Sequence, residues 1–148
     1  ASVLHAGYFV INLYGIAKWC GFFGLNGDEK VLRVSRLSWT NMAWLLGAVL
    51  VSGVGLGLAV MNMPSLLPDA QYPILDACTT TASVVAQILM TRKKIETWWA
   101  WIIIDLINAA IYFDMGIWLN GGLHIVYIGI AVSAILRWQK DLEKEVCN

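Results

Sequence analysis

The chain has 148 residues, of which 59% are hydrophobic and 14% charged, and its mean hydropathy is +0.66. A soluble domain usually carries about a quarter charged residues, so this composition argues against a soluble globular protein and indicates a membrane protein. The formal net charge of +0 by itself says nothing about partners. For a membrane protein of this composition we expect no nucleic-acid partner.

Five apolar stretches follow one another along the chain, each close to the ~20 residues that a helix needs to cross a ~30 Å hydrocarbon core. They run over Ser2–Phe23, Asn41–Met63, Ile74–Met90, Trp98–Gly116 and Ile117–Trp138. We therefore predict an all-α membrane protein with five transmembrane helices, the last two of which form a hairpin because only a short turn joins them.

The basic residues of the connections lie at one end of these predicted helices. They are Lys30, Arg33 and Arg36, then Arg92, Lys93 and Lys94, and finally Arg137, Lys140 and Lys144. The two remaining connections, over residues 64–73 and 114–116, contain no Lys or Arg. Because loops rich in Lys and Arg stay in the cytoplasm, we predict a multi-pass protein whose C-terminus is cytoplasmic.

The second predicted helix differs from the other four because its centre carries almost no polar group. Between Leu45 and Val60 it has no ionisable residue and one hydroxyl, Ser52. Gly53 and Gly57 form a small-xxx-small pair, which allows another helix to approach closely in lipid. We predict a packing or connecting helix, with a hinge at the glycines as the alternative.

The other four predicted helices each carry polar and aromatic residues on one face, because these residues recur mostly at steps of three and four. Polar side chains that face hydrocarbon are costly, so we expect the four faces to meet around a shared interior. The candidate substrate-binding residues on these faces are Asn12, Thr80, Gln87, Trp98, Trp101, Asp105, Asn108, Tyr112, Asn120, His124 and Tyr127.

These side chains suit a small polar ligand that contains an aromatic ring. Amides can bind a carboxamide, hydroxyls and carboxylates can bind ribose hydroxyls, and aromatic faces can stack on a cationic ring. Each candidate also has a structural alternative. Asn12, Gln87 and Asn108 can bond neighbouring helices, Asp105 can be a structural hydrogen-bond donor, and His124 can be a core residue.

The polar residues of these helices allow two other classes of function, a proton-coupled carrier and an intramembrane enzyme. A proton-coupled carrier could use Asp105 and His124 as a relay, and uptake that follows an imposed pH gradient would identify it. An intramembrane enzyme fits less well, because neither Asp76 nor Asp105 lies in a protease motif and no His-Glu-x-x-His zinc motif is present. We expect no catalytic residue, no metal and no cofactor.

The stretch Gln87–Asp105, continuing through Tyr112 and Gly116 to Arg137 and Trp138, resembles the C-terminal half of the PnuC family of bacterial nicotinamide riboside transporters. Its most specific element is the pattern Trp-x-x-Trp-x-x-x-Asp at residues 98–105, directly after a basic loop. Asn12–Trp19 resembles the third transmembrane helix of that family, and Arg36–Trp39 resembles the approach to its fourth. The resemblance covers nearly the whole chain.

The resemblance implies a fold of two three-helix bundles joined by a single helix, similar to the SWEET arrangement of parallel repeats. On that pattern residues 1–23 form the last helix of a first bundle, and residues 39–63 form the linker transmembrane helix. Residues 74–139 form the second three-helix bundle, and residues 140–148 form a cytoplasmic tail. Two helices of the family fold would then precede this chain, and we expect it to be a piece of a longer polypeptide.

The resemblance also implies transport of nicotinamide riboside across the bacterial inner membrane by facilitated diffusion. Alternating access around a central site would move the substrate, and consumption in the cytoplasm would trap it. The implied partners are the small-molecule substrate, the lipid bilayer and further copies of the chain in a homo-oligomer, a trimer by the same resemblance. Related carriers of thiamine or riboflavin are the alternative.

Cysteine labelling tests the topology. The variant Arg92→Cys should react with a membrane-impermeant maleimide only from the cytoplasm, and Asp69→Cys only from outside, because the basic connections stay in the cytoplasm. Labelling is compared in intact and permeabilised cells, in a background without the native cysteines. Reaction of both variants from the same side would contradict the five-span topology.

Overall fold

A computed structural model describes residues 2–19, 33–63 and 71–146. Within these ranges the chain forms five α-helices and no strand. The helices are α1 (Ser2–Trp19), α2 (Trp39–Asn62), α3 (Pro73–Thr91), α4 (Glu96–Asp114) and α5 (Trp118–Val146). The predicted all-α fold is confirmed. Lys30 of the first basic connection and Asp69 of the labelling test lie outside the described residues.

Three helices in the described ranges are long and apolar enough to cross a membrane, namely Trp39–Asn62, Pro73–Thr91 and Trp118–Glu143. The other two predicted spans, α1 and α4, form helices of 18 and 19 residues. Their lengths are adequate, but the polar residues on one face of each make them less apolar. Such helices are stable in lipid only when those faces turn toward other parts of the protein.

Local sequence signals explain where these helices begin and end. The backbone N–H of Asn41 donates to the Ser38 hydroxyl at 3.3 Å, which caps the start of α2. Pro73 is the first residue of α3, a position where its missing N–H costs no helical hydrogen bond. Gly116 has a φ of +73° between α4 and α5, a conformation that glycine adopts without strain. The predicted hairpin is therefore confirmed.

The central helix of the structure is α3, against which α1, α2 and α4 all pack, whereas α5 packs along α4. Thr97 at the start of α4 is completely buried, and its hydroxyl donates to the carbonyl of Ala86 in α3 at 2.7 Å. In the described ranges α2 packs on α3 alone, and α3 does not pack on α5. This last feature leaves a cleft in the middle of the structure.

The predicted close approach at the glycines of α2 is confirmed. Gly53 and Gly57 are both buried against α3. A Cβ atom on Gly53 would lie 2.7 Å from the Cα of Cys78, and one on Gly57 would lie 2.6 Å from the Cα of Ile74. These distances are shorter than van der Waals contact with backbone atoms, so the two helices touch because no side chain separates them.

Short polar links join the elements at both ends of the helices. At the basic end, where α3 finishes and α4 begins, Ser35 donates its N–H to the Lys93 carbonyl at 3.0 Å and accepts from the Ile95 N–H at 3.1 Å. At the opposite end, the Tyr72 hydroxyl donates to the Asp114 carboxylate at 2.5 Å, and this hydrogen bond raises the pKa of Tyr72. The first link fixes the turn between α3 and α4 against the segment before α2, and the second joins the start of α3 to the end of α4.

The residues that follow Trp138 continue the helix α5. The helix continues to Val146, so the first part of residues 140–148 extends α5 beyond the apolar stretch that ends at Trp138. Lys140 and the polar residues after it therefore follow the direction of the helix out of the apolar region.

Alanine substitution of the α2 glycines tests the close packing. Gly53→Ala should lower the free energy of unfolding by about 1–3 kcal/mol, because its methyl group overlaps the α3 backbone. The matched control is Gly55→Ala, which meets no atom within 4 Å and should be neutral or stabilising through its higher helix propensity. Unfolding is followed by circular dichroism during titration of the purified protein with dodecyl sulfate. Equal stability of the two variants would contradict the contact.

Candidate functional site

A cavity of about 270 Å³ lies between α3 and α5, with α4 forming its floor. Because α3 and α5 do not pack against each other within the described ranges, the cavity is an open cleft rather than a closed void. Its lining residues are Ser83 and Met90 of α3, Trp98, Trp101, Ile104, Asp105 and Asn108 of α4, and His124, Tyr127, Ile130 and Ala131 of α5. The structure thus brings six of the predicted site residues together, all from α4 and α5.

Asp105 and His124 form a direct polar contact in this cavity. The Oδ1 atom of Asp105 lies 2.7 Å from the Nδ1 atom of His124, and Asp105 is 5% exposed. A buried carboxyl group without a partner would cost several kcal/mol, so the imidazole stabilises it in this position. The sequence identified both residues as candidates, and the structure joins them into one unit that connects α4 to α5.

Two tyrosine rings fix the orientation of the imidazole. The Tyr112 ring stacks on His124 with centroids 5.4 Å apart and an angle of 13° between the planes. The Tyr127 ring meets His124 edge-on at 5.8 Å and 90°. Tyr127 lines the cavity, whereas Tyr112 supports His124 without being a lining residue. Tyr112 therefore contributes to the site through its contact with His124 and not by lining the cavity.

Trp98 and Trp101 bring unsatisfied hydrogen-bond donors to the cavity. Their indole nitrogens are buried and have no hydrogen-bond partner in the described part of the chain. Buried donors are usually paired, so each of these N–H groups would gain from an acceptor within hydrogen-bond distance. A carbonyl or hydroxyl oxygen of a ligand is the kind of group that could accept from them.

The basic end of the cleft is closed by aromatic packing. Trp98 meets Trp138 edge-on at a centroid distance of 5.4 Å, and Trp19 of α1 lies 6.1 Å from the same Trp138 ring. Trp138 of α5 therefore contacts both α1 and α4 and joins the three helices at this end.

Gln87 and Asn12 bind each other outside the cavity lining. The Nε2 atom of Gln87 donates to the Oδ1 atom of Asn12 at 2.6 Å, and Gln87 is buried. One and two turns further along α1, Gly15 approaches Thr91 closely and the Trp19 indole donates to the Thr91 carbonyl at 3.3 Å. These contacts fix α1 on α3. Bonding between neighbouring helices is the role that we gave as the alternative to substrate contact for Asn12 and Gln87.

Two predicted residues lie away from the cavity. Asn120 is exposed in the first turn of α5 and lines a separate shallow depression near the hairpin turn. Thr80 is half-buried on α3 but is not among the lining residues. Both share a helical face with lining residues, but they lie one turn too close to the non-basic end to reach the cleft.

The structure also adds lining residues that the candidate set did not contain. Ser83 precedes Gln87 by four residues, and Met90 follows it by three, so the spacing of the polar face already includes both positions. The Ser83 hydroxyl donates to the Thr79 carbonyl one turn back at 2.7 Å. The side chain of Met90 is apolar, so the pattern of polar residues does not indicate it as a lining residue.

Comparison with known proteins adds a further set of findings. The model of a family described as "Nicotinamide mononucleotide transporter" matches residues 1–140. The nicotinamide riboside transporter PnuC of Escherichia coli (strain K12) is 31% identical over 156 residues, which covers 92% of this chain and 64% of that protein. No solved structure matches the chain.

Two further relatives have lower identity. The riboflavin/roseoflavin transporter RibM of Streptomyces davaonensis is 27% identical, over 86% of this chain and 58% of that protein. The nicotinamide riboside transporter PnuC of Neisseria mucosa is 25% identical, over 93% of this chain and 53% of that protein. The chain therefore spans 53% to 64% of the length of the relatives named here.

A double-mutant cycle tests the polar unit of the cavity. Asp105→Ala and His124→Ala should show a coupling energy of about 0.5–3 kcal/mol in the free energy of unfolding, because each residue satisfies the other. The control cycle combines Asp105→Ala with Asn120→Ala, which lies outside the cavity and should act additively. Stability is measured by the same detergent titration. Additive effects of Asp105 and His124 would show that their contact contributes nothing.

Proposed function

Because the chain belongs to the nicotinamide mononucleotide transporter family, we propose that it takes part in the transport of nicotinamide riboside across a bacterial inner membrane. The family match extends over residues 1–140, and two of the relatives are named as nicotinamide riboside transporters. The family and these relatives are transporters, so the role we propose is not enzymatic. The observation that carries the proposal is the cleft between α3 and α5 with its convergent polar and aromatic side chains.

The chemistry of the cleft matches the parts of nicotinamide riboside. The substrate has a cationic pyridinium ring, a carboxamide and a ribose with free hydroxyls. An indole face at Trp101 can stack on the cationic ring, and the acidic side chain of Asp105 can attract it. The amide of Asn108 can both donate to and accept from the carboxamide, and the unsatisfied indole N–H of Trp98 can donate to an oxygen.

The size of the cleft favours a single-ring nucleoside over a flavin. Small-molecule sites usually have volumes of about 300–1,000 Å³, and this cavity of about 270 Å³ lies near the lower limit. Riboflavin has a three-ring system and a ribityl chain, so it would need a larger site. Riboflavin is nevertheless the second candidate, because the relative RibM is a riboflavin transporter, and thiamine is the third.

We propose that movement around this cleft provides alternating access. In this arrangement α2 is the linker, since among the described helices it packs on α3 alone, and α3 to α5 form one bundle. Its cleft is open between α3 and α5, and we propose that α1 and further helices of the family fold complete the site on that side. The remaining helices would come from a longer polypeptide or from other copies in a homo-oligomer.

We further propose that transport is facilitated diffusion and that the C-terminus faces the cytoplasm. The alternative of proton coupling rests on one observation, the 2.7 Å contact between Asp105 and His124 in the cavity. A pair of this kind could exchange a proton as the site changes its accessibility, but it could equally act as a fixed structural unit.

Uptake into proteoliposomes separates these two forms of transport. For facilitated diffusion, labelled nicotinamide riboside should equilibrate across the bilayer and an imposed pH gradient should leave its final level unchanged. Empty liposomes and the His124→Gln variant serve as controls. If the pH gradient instead drives nicotinamide riboside above its external concentration, and His124→Gln abolishes this accumulation, transport is proton-coupled and not facilitated diffusion.

Calorimetric titration tests the site directly. Trp101→Ala should weaken the binding of nicotinamide riboside by about 1–3 kcal/mol, because stacking and apolar burial are lost. Trp101→Phe keeps an aromatic face but removes the N–H and should cost about 0.5–1.5 kcal/mol. Asn108→Leu should cost about 1–3 kcal/mol, because it leaves the carboxamide of the ligand unpaired.

The matched control is Trp118→Ala, since Trp118 is 70% exposed at the start of α5 and lies outside the cavity. Its affinity for the substrate should equal that of the unaltered protein. Equal affinities for Trp101→Ala and the unaltered protein would move the site elsewhere. Tighter binding of riboflavin or thiamine than of nicotinamide riboside would assign a different substrate to the same cleft.

A further inference from the structure

A second groove lies on the outer surface of the helices, on the opposite side of α3 from the candidate site. It has a volume of about 370 Å³ and runs between the first half of α2 and the second half of α3. Its wall is apolar and is formed by Leu45, Val85, Ile88 and Leu89. Both helices that form it are candidate membrane spans, so this wall lies at the depth of lipid acyl chains.

The mouth of the groove is basic. Arg92 and Lys94 line it, and no acidic residue is among its lining residues. Arg92 is exposed, and within the described ranges no carboxylate lies within ion-pair distance of it. Lys94 donates to the carbonyl of Arg36 at 3.2 Å, which leaves its positive charge without a carboxylate partner among the same residues. The mouth therefore complements an anion.

The turn that carries these two cations has a fixed shape. Lys93, between them, has a φ of +48°, and its carbonyl accepts from the Ser35 N–H at 3.0 Å. The Ser35 carbonyl in turn accepts from the Ile95 N–H at 3.1 Å. Two backbone hydrogen bonds thus hold the turn against the start of the α2 segment, so Arg92 and Lys94 stay on the same side of the groove.

Aromatic residues indicate the level of the mouth in the membrane. Trp44 lines the groove and is 76% exposed, and Trp39 in the first turn of α2 is also exposed. Indole rings favour the boundary between headgroups and acyl chains. The groove therefore has a cationic end at headgroup level and an apolar wall that continues toward the middle of the bilayer.

A neighbouring crevice provides a contrast within the same protein. It has a volume of about 570 Å³, is lined by residues of α2, α3 and α4, and shares Leu37, Leu45, Val85 and Leu89 with the groove. Its mouth carries both Arg36 and Glu96, so charges of both signs are present. An apolar wall alone does not select an occupant, and of these two cavities of the described residues the groove between α2 and α3 is the one that combines such a wall with charges of one sign.

We propose that the groove between α2 and α3 binds an anionic phospholipid, with its phosphate between Arg92 and Lys94 and an acyl chain along the apolar wall. Basic pockets between membrane helices bind anionic headgroups in this way. A zwitterionic lipid can fill the wall equally well, but its headgroup carries no net charge to match the mouth. The proposal is independent of the transported substrate, because the groove and the candidate site lie on opposite faces of α3.

Native mass spectrometry of the full chain in detergent tests the proposal with two lipids of equal acyl chains, phosphatidylglycerol and phosphatidylcholine. The variants are Arg92→Gln, which keeps the Lys94 hydrogen bond, and the double variant Arg92→Gln/Lys94→Gln. The matched control is Arg137→Gln/Lys140→Gln, which removes two basic residues at the same end that do not line the groove. Circular dichroism checks that every variant keeps its helical content.

Phosphatidylglycerol should bind the unaltered protein at least about tenfold more tightly than phosphatidylcholine. One basic residue near an anionic surface contributes a factor of about five to affinity, so Arg92→Gln should weaken binding about fivefold and the double variant about 30-fold. The control should change affinity less than about twofold.

Three results would overturn the proposal. Equal binding of the two lipids would mean that the mouth does not select charge. An equal loss in the control would mean that basic residues at this end attract anionic lipid without a defined site. Binding that is unchanged in the double variant, or a change in oligomeric state caused by it, would mean that another segment of the polypeptide or a second copy occupies the groove.

Discussion

Hydrocarbon offers no hydrogen bonds, so every polar side chain on a membrane-spanning helix needs a partner inside the protein. The described structure meets this requirement in three ways. Thr79 and Thr81 bond carbonyls of their own helix one turn back. Gln87 bonds an amide of the neighbouring α1, and Thr97 bonds the backbone of α3. Asp105, Asn108 and His124 of α4 and α5 instead line a cleft. The first solution satisfies a side chain within its own helix, the second holds neighbouring helices together, and the third creates a site.

α3 is the central helix because its faces carry different residues and contact different parts of the structure. One face meets the glycines of α2, where small residues allow contact between the backbones without any polar group. A second, polar face carries the buried amide of Gln87, which bonds α1, and also Ser83 and Met90, which line the cleft. Because 3.6 residues make one turn, a single helix of 19 residues can present both faces along its length.

The two grooves on either side of α3 have opposite characters, and this difference suits two roles. The cleft toward α5 contains an acid–imidazole pair, an amide and two indoles, which can distinguish the functional groups of a small polar solute. The groove toward α2 has an apolar wall and a cationic mouth, which can distinguish a membrane lipid only by its charge. Residues of α3 line both of them. Occupancy of the outer groove would thereby stabilise the position of α2 against α3, since a lipid there contacts both helices.

The sequence by itself determined the properties that depend on local order along the chain. The lengths of the apolar stretches located five helices, the short connection over residues 114–116 indicated the hairpin, and the spacing of Gly53 and Gly57 indicated the close packing of α2. Helical periodicity showed which residues share a face. The basic residues, which all lie at one end, defined the end at which α3 finishes and α4 begins.

Only the tertiary structure decided which faces meet and at what height. Periodicity places Asp105 and His124 on inward faces of two helices, but the length of the turn and the packing of α5 on α4 bring them within 2.7 Å. Gln87 belongs to the same polar face as Ser83, yet it bonds Asn12 because α1 approaches α3 at that level. The physical reason is that a helix fixes the direction of each side chain through its own backbone hydrogen bonds. The partner it meets depends on contacts between helices, which the spacing of residues does not encode.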